Sequence, residues 1–238
     1  AQYAEIPKVI KSGAENPGPD GAEMPEAIRQ GIISAVDETI VPAKLISAVI
    51  TALESQLSDE DIDTMLNWYQ SDLAKRITGM ENAASTPEAM KNVQTEIETL
   101  MNSDSRVLQA RKIDTLTGSS EFAVEIQMFT QLAMVSAIAN ALGPQAGIDL
   151  EMLKTQMLAQ KPAVQAQIQQ MSTATYVYTY RDLEESELKE YVKFLELPVS
   201  QRFITNVMGA TKTEMQTMIT AFTKKLAEAF QAEQMIMQ

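Results

Sequence analysis

Carboxylates are the side chains that could carry most of the chemistry in this sequence. The 238 residues include 32 Asp and Glu against 19 Lys and Arg, while His and Cys are both absent. The chain therefore has no thiolate nucleophile, no imidazole base and no thiolate or imidazole metal ligand. A Ser-His-Asp triad is excluded as well. What remains is the chemistry of carboxylates, Lys, Tyr, Ser and Thr.

Two stretches concentrate these carboxylates, SDEDID at 58–63 and DLEESE at 182–187. Either could hold Ca²⁺, but a calcium loop of the helix-loop-helix type needs a Gly at its turn, which both stretches lack. Acidic residues are also favoured at helix N-termini by the macrodipole. We favour this second interpretation, and we predict no metal site, no cofactor, no catalytic residue and no enzymatic activity.

A second group of candidates lies around the stretches NWYQSDLAKR (67–76), with the sole tryptophan, and KFLELPVSQR (193–202). The aromatic residues could line a ligand slot or pack the core, and the arginines could bind an anion or pair with acidic neighbours. Large aromatic side chains are mostly buried for packing, and surface ion pairs are common, so we favour packing and pairing. The candidate ligand or partner surface consists of Trp68, Tyr69, Arg76, Phe194 and Arg202.

The elements that position these residues are helices. In the last segment apolar residues recur at spacings of three and four, which is the helical period: Met215, Met218, Ile219, Phe222, Leu226 and Phe230. The one alternating stretch, TYVYTYRD at 175–182, is short and flanked by helical patterns, so we predict a helix there too. Its tyrosines and Tyr191 could form a binding surface, but packing is favoured. The sequence predicts an all-α fold, a multi-helix bundle.

Turn residues and prolines predict where these helices end or kink. Three caps are predicted from spacing: Ser58 with Asp61, Thr86 before Pro87, and Asp182 with Glu185. The predicted breaks are at 15–21, Pro42, 56–58, 71–72, 84–88, 102–105, 117–120, 142–147, 161–162, 181–182 and 197–198.

The sequence also resembles itself at an offset of 126 residues. Placing 183–203 beneath 57–77 without a gap aligns Trp68 with Phe194 and Arg76 with Arg202, and acidic residues open both copies. A Gly-Pro pair near residue 20 and another near residue 145 agree with nearly the same offset. Such self-similarity predicts a duplicated structural unit. We predict two pseudo-repeated helical halves, 1–118 and 119–238, packed as one continuous body.

Charge and hydropathy narrow the classes of partner. The net charge of −13 opposes binding to the phosphates of nucleic acid or of a membrane surface. The most apolar window, 122–142, contains Glu125, Gln127, Gln131 and Asn140, too many polar groups for a membrane span. It predicts a central helix that is buried on most sides.

The motif WYQSDLAKR, preceded by an acidic helix start, resembles the signature of an uncharacterised family of exported, helical bacterial proteins, Phe/Trp-Tyr-x-Ser-Pro-x-Gly-x-Lys/Arg. The chain keeps Trp68, Tyr69, Ser71 and the basic pair at 75–76. Asp72 replaces the Pro and Ala74 replaces the Gly. The stretch from Tyr180 to Phe203 resembles a second form of the motif. The resemblance implies an all-helical fold and export, and it implies no reaction.

Function is predicted only as a class. Absence of Cys and a start at Ala-Gln fit a mature periplasmic or secreted protein after removal of a signal peptide. We expect a non-enzymatic protein that binds another protein or acts as a scaffold in the bacterial envelope. The alternative is a carrier of a small apolar ligand in a slot between the two halves. The oligomeric state is not predicted.

Overall fold

The chain is helical throughout the part that a computed structural model describes, namely residues 7–8, 10–11, 26–142 and 149–236. These residues contain no strand, which confirms the predicted all-α class. Residues 175–179 of TYVYTYRD form the end of a long helix, as predicted, and residues 180–182 lie in the turn that follows. From residue 26 on we number the helices α1 (Glu26–Thr39), α2 (Pro42–Gln56), α3 (Asp59–Gln70), α4 (Asp72–Ala84), α5 (Pro87–Leu100), α6 (Asp104–Thr117), α7 (Ser119–Leu142), α8 (Leu150–Thr179), α9 (Glu185–Leu195) and α10 (Pro198–Ile236).

Helix starts are set by local capping chemistry. The Ser58 hydroxyl accepts a hydrogen bond from the Asp61 backbone N–H at 3.2 Å, while the Asp61 carboxylate accepts one from the Ser58 N–H. Thr86 caps α5 in the same way, with Pro87 at the first helical position. Both predicted caps are confirmed. Gly118 ends α6 at φ 66°, a left-handed conformation that favours glycine, and α7 begins at the next residue.

One predicted cap is wrong, and one predicted break is not a helix end. Asp182 does not cap α9, because the extended residue before the first turn is Glu184, whose N–H donates to the Glu187 carboxylate at 2.9 Å. Pro162 does not end a helix, because α8 continues through it; a kink at this residue stays a prediction. Proline removes one backbone donor, so the carbonyl group of Leu158 loses its helical hydrogen bond. Because Leu158 is exposed, water can bond this carbonyl group.

The most apolar helix, α7, is present as predicted. Ser120 and Val124 are buried, and most other side chains described in this helix are half-buried. From Phe122 on, the described side chains that are exposed are Ala123, Gln127 and Gln131, which lie four residues apart on one face. Among the described residues, no helix combines the length and hydropathy needed to cross a bilayer.

The described residues divide into two compact units, each with its own core. The first unit draws on 1–48, 125–160 and 210–238, and its core cluster contains the buried residues Val36, Ile40, Leu45 and Met218. The second unit draws on 49–124 and 161–209. Its larger core cluster contains Met65, Ile77, Ile113, Tyr180, Leu183, Leu188, Tyr191, Val192, Phe194 and Leu195. All five candidate site residues belong to this second unit.

Helix boundaries in the second unit agree locally with the offset of 126 residues. Helices α3 and α9 begin at 59 and 185, and α4 and α10 begin at 72 and 198. The Gly-Pro turns at 15–21 and 142–147, which were the other predicted landmark, lie outside the described residues apart from Leu142. Each compact unit contains residues from both sides of position 118. Duplication of the halves 1–118 and 119–238 stays a prediction.

Candidate functional site

The ends of two helices bring the predicted aromatic residues together. Trp68 lies near the end of α3 and Phe194 near the end of α9. Their ring centroids are 4.1 Å apart and their planes differ by 7°. Tyr191 lies one turn before Phe194 and is also stacked with Trp68, at 6.3 Å. A separation of 4.1 Å leaves no room for a ligand between the rings, so Trp68 and Phe194 pack on each other.

Tyr69, by contrast, keeps much of its surface in solvent. Its ring packs edge-on against Phe194 at 6.5 Å and lies 6.2 Å from Phe203, yet the residue is 45% exposed. Leu66, three residues earlier on the same face of α3, is 49% exposed. The end of α3 therefore presents an exposed apolar surface, and Tyr69 joins this surface to the stacked rings.

Both candidate arginines make ion pairs within the unit. Arg76 of α4 donates to Glu187 at the start of α9, at 2.5 Å. Arg202 of α10 donates to Asp61 at the start of α3. The break at 71–72 separates α3 from α4, and the break at 197–198 separates α9 from α10. One ion pair therefore joins α4 to α9, and the other joins α10 to α3. Both contacts are ion pairs within the chain, and binding of a further anion by either arginine stays a prediction.

The two acidic partners also hold the starts of their helices. The hydrogen bond from Arg202 is the main reason why the pKa of Asp61 lies below its usual value. The pKa of Glu187 is lowered first by the backbone N–H of Glu184 and then by Arg76. The acidic stretches at 58–63 and 182–187 therefore serve as helix caps and ion-pair partners. The residues that the structure describes include no group of three or more acidic side chains placed to hold a metal ion.

A half-buried carboxyl that was not predicted from the sequence, that of Glu81, lies beside the stack. The Tyr180 and Tyr191 hydroxyls both donate to Oε1 of Glu81, at 2.7 and 3.2 Å. Burial raises the pKa of Glu81, and the two phenol hydrogen bonds oppose this shift only in part. Burial, reinforced by the nearby carboxyl, also raises the pKa of each phenol well above its usual value.

Helical spacing could have drawn attention to Glu81. It follows Ile77 by four residues, so both lie on one face of α4, and Ile77 belongs to the core cluster. An acidic residue on the apolar face of a helix is a detectable exception. Its phenol partners, about 100 residues farther along the chain, have no such local signal.

A cavity of about 40 Å³ lies between these groups. Aromatic and aliphatic side chains line it in equal number, and the aromatic ones are Trp68, Tyr69, Tyr191, Phe194 and Phe203. Thr78, Glu81 and Ser200 contribute polar groups. Ser200 is fully buried, and its Oγ has no hydrogen-bond partner among the described residues. A cavity needs roughly 10–15 Å³ to hold a water molecule, so this one takes a group of about one to three non-hydrogen atoms.

A larger opening of about 560 Å³ lies elsewhere in the second unit, lined by residues of α6 and α8 with Met101. It is polar, with Arg111, Gln169 and Gln170 at its edge. Asp114 in its wall is buried and accepts hydrogen bonds from Ser120 and from the Ser172 hydroxyl at 2.8 Å. This lining does not match the apolar slot that was predicted for a carrier.

The break at 71–72 lies within a stretch that matches a known family. Residues 43–102, about a quarter of the chain, match the family described as an uncharacterized protein conserved in bacteria (DUF2059). The match contains Trp68, Tyr69 and Arg76 but does not extend to Phe194 and Arg202. No curated protein and no solved structure shows significant similarity to the chain. The predicted resemblance to an uncharacterised bacterial family is thus supported for this stretch, while the motif and export stay predictions.

Proposed function

We propose that this is a non-enzymatic, exported helical protein of the bacterial envelope that binds another protein through the end of α3. The observation that carries the proposal is the exposure of Tyr69, which packs against the stacked rings, and of Leu66 on the same face of α3. A rigid base lowers the entropy lost on binding, because few rotamers remain to be ordered. Tyrosine is also enriched among the residues that contribute most to protein interfaces.

Charge indicates the chemistry of the partner. Asp59 and Asp63 are exposed and share a face of α3 with Leu66, at helical spacings of seven and three. Over the whole chain the net charge is −13. A partner surface with an apolar centre and a basic rim would complement this face and would be steered towards it.

The sequence supports a non-enzymatic role because it lacks histidine, cysteine and any recognisable catalytic constellation. The match to an uncharacterised bacterial family supplies no reaction either. At the predicted aromatic residues the cavity of about 40 Å³ is far below the roughly 300–1,000 Å³ of typical small-molecule sites. No observation there favours the carrier of an apolar ligand, which stays the alternative prediction.

The test has two steps, in the bacterium that encodes the protein. A photo-crosslinking amino acid at position 69 should capture a defined protein in the periplasmic fraction, while the same probe at the exposed Leu108 should not. The captured protein, once purified, should bind the wild type, and Leu66→Lys should weaken binding by at least roughly tenfold, as loss of an interface anchor does. Leu108→Lys is the matched control, since it places the same charge at another exposed leucine.

Three results would contradict the proposal. A cytoplasmic location would remove the envelope role. Equal crosslinking at positions 69 and 108 would remove the binding surface at α3. A small apolar ligand found by native mass spectrometry, without any protein partner, would favour the carrier instead.

A further inference from the structure

The carboxyl of Glu81 is only half satisfied by its neighbours. Both phenol hydroxyls donate to Oε1, and Oε2 has no hydrogen bond with the residues that the structure describes. No lysine or arginine in the same ranges forms an ion pair with it. Glu81 is half-buried, so leaving its carboxylate without a cation has a cost that a positively charged partner would remove.

Ser200 provides a second unsatisfied group in the same cavity. It is fully buried, and its Oγ lacks a partner in the described part of the chain. Leaving a buried hydroxyl without a hydrogen bond costs about 1–3 kcal/mol. Native proteins usually avoid this cost with a bound water or ligand.

The residues that line the cavity determine which chemical group it can hold. Glu81 is the one charged residue among the described residues that line it, so the lining favours a cation over an anion. The volume of about 40 Å³ limits the occupant to a few non-hydrogen atoms. A carboxylate oxygen, a hydroxyl and aromatic rings together match a group with several N–H donors, a positive charge and a small head.

We infer that this cavity is a binding site for the head of a protonated primary amine, held by Glu81, Ser200 and the aromatic wall. The ammonium group donates to Oε2 of Glu81 and to Oγ of Ser200. Tyr69 belongs both to the wall of this cavity and to the surface proposed for partner binding, but the amine site would bind without a partner at α3. Its occupant is either a free small amine or the end of a lysine side chain from another protein, since both present the same group.

Trp68 allows this site to be tested directly, because it is the only tryptophan in the chain and lines the cavity. Methylammonium chloride, with two non-hydrogen atoms, should change its fluorescence in a saturable way. Tetramethylammonium is too large and has no N–H donor, so at equal ionic strength it should have no effect, and sodium chloride likewise. Nα-acetyl-lysine methylamide tests the second source: saturation by it would show that a lysine side chain can enter, and saturation by methylammonium alone would identify a free amine.

Variants separate the site from a general effect of salt. Glu81→Gln should weaken methylammonium binding by roughly tenfold or more, because charge-assisted hydrogen bonds are about twice as strong as neutral ones. Ser200→Ala should weaken it less. Glu98→Gln, which makes the same change at an exposed position of α5, should leave it unchanged. Circular dichroism checks that each variant is folded, and the Ser200→Ala result decides the question if Glu81→Gln fails to fold.

The inference would be overturned if methylammonium caused no saturable change in the wild type, as expected of a cavity that holds only water. Equal binding by the wild type, Glu81→Gln and Ser200→Ala would overturn it too. An equal response to tetramethylammonium would exclude a site of this size.

Discussion

Replacing the rings of the stack tests whether Trp68 and Phe194 stabilise the second unit directly. Phe194 is 7% exposed, and its ring contacts Trp68 at 4.1 Å. Phe194→Ala should lower the free energy of unfolding by about 3–5 kcal/mol, the usual cost of a buried Phe→Ala substitution. The ring adjoins an existing cavity of about 40 Å³, so its removal enlarges a space that the surrounding side chains already leave open.

Stacking itself is measured by a double-mutant cycle. Phe194→Leu and Trp68→Leu keep apolar side chains in place but remove one ring each. The double variant should lose less than the two single variants together, with a coupling of about 0.5–1.5 kcal/mol, as found for aromatic pairs. Phe122→Leu is the control for replacing a phenylalanine ring that is not stacked. Phe122 is half-buried in the same unit and has no ring partner among the described residues.

Urea unfolding followed by near-ultraviolet circular dichroism is the suitable assay. Five of the six tyrosines lie in the second unit, so this signal reports mainly on that unit. Midpoints multiplied by the urea dependence give the free energies. A coupling near zero would show that the rings only fill space. A loss below about 1 kcal/mol for Phe194→Ala would contradict burial of the ring, since it falls well under the usual cost.

Two further predictions concern Glu81 and Pro162. Because burial raises the pKa of Glu81, the folded state holds its proton more tightly than the unfolded state. The stability this provides is complete below the unfolded pKa and is lost as the pH rises through the folded pKa. Glu81→Gln should therefore be more stable than the wild type at neutral pH, with the difference vanishing in acid; urea midpoints across pH check this, and a constant difference would contradict it. Pro162→Ala should raise the free energy of unfolding by up to about 3 kcal/mol, because it restores a helical hydrogen bond in α8; thermal unfolding measures the gain, and a lower midpoint would show that the proline is needed.

Local chemistry explains which parts of the fold could be predicted. Ser58 and Thr86 cap helices through contacts three residues away, and such contacts are encoded by short spacings. Whether α8 continues through Pro162 depends on whether water reaches the helix, and a proline pattern does not contain that information. How deeply α7 is buried depends on which elements pack against it, and the hydropathy of the helix itself does not identify those elements.

The candidate site was predicted in part for the same reason. The offset of 126 residues aligned Trp68 with Phe194 and Arg76 with Arg202, but alignment does not say that equivalent residues touch. The stack and the two ion pairs depend on how α3 and α4 pack against α9 and α10. The position of Glu81 on the same face of α4 as Ile77 is a local signal, whereas its hydrogen bonds to two phenols that are distant in sequence follow from packing.

The ion pairs beside the breaks at 71–72 and 197–198 are arranged as in an isologous interface, in which the same residues contact each other on both sides of a two-fold axis. Exchanging positions 126 apart converts the Arg76–Glu187 pair into the Arg202–Asp61 pair, as a two-fold axis does in a homodimer. Here both sides belong to one polypeptide, so the pairing does not dissociate on dilution. The two sides also need not have the same residues, because a substitution at one position leaves the position 126 residues away unchanged. Tyr69 is exposed while the corresponding Leu195 is buried. An exposed apolar surface can therefore exist on one side without being repeated on the other, which removes one route to self-association.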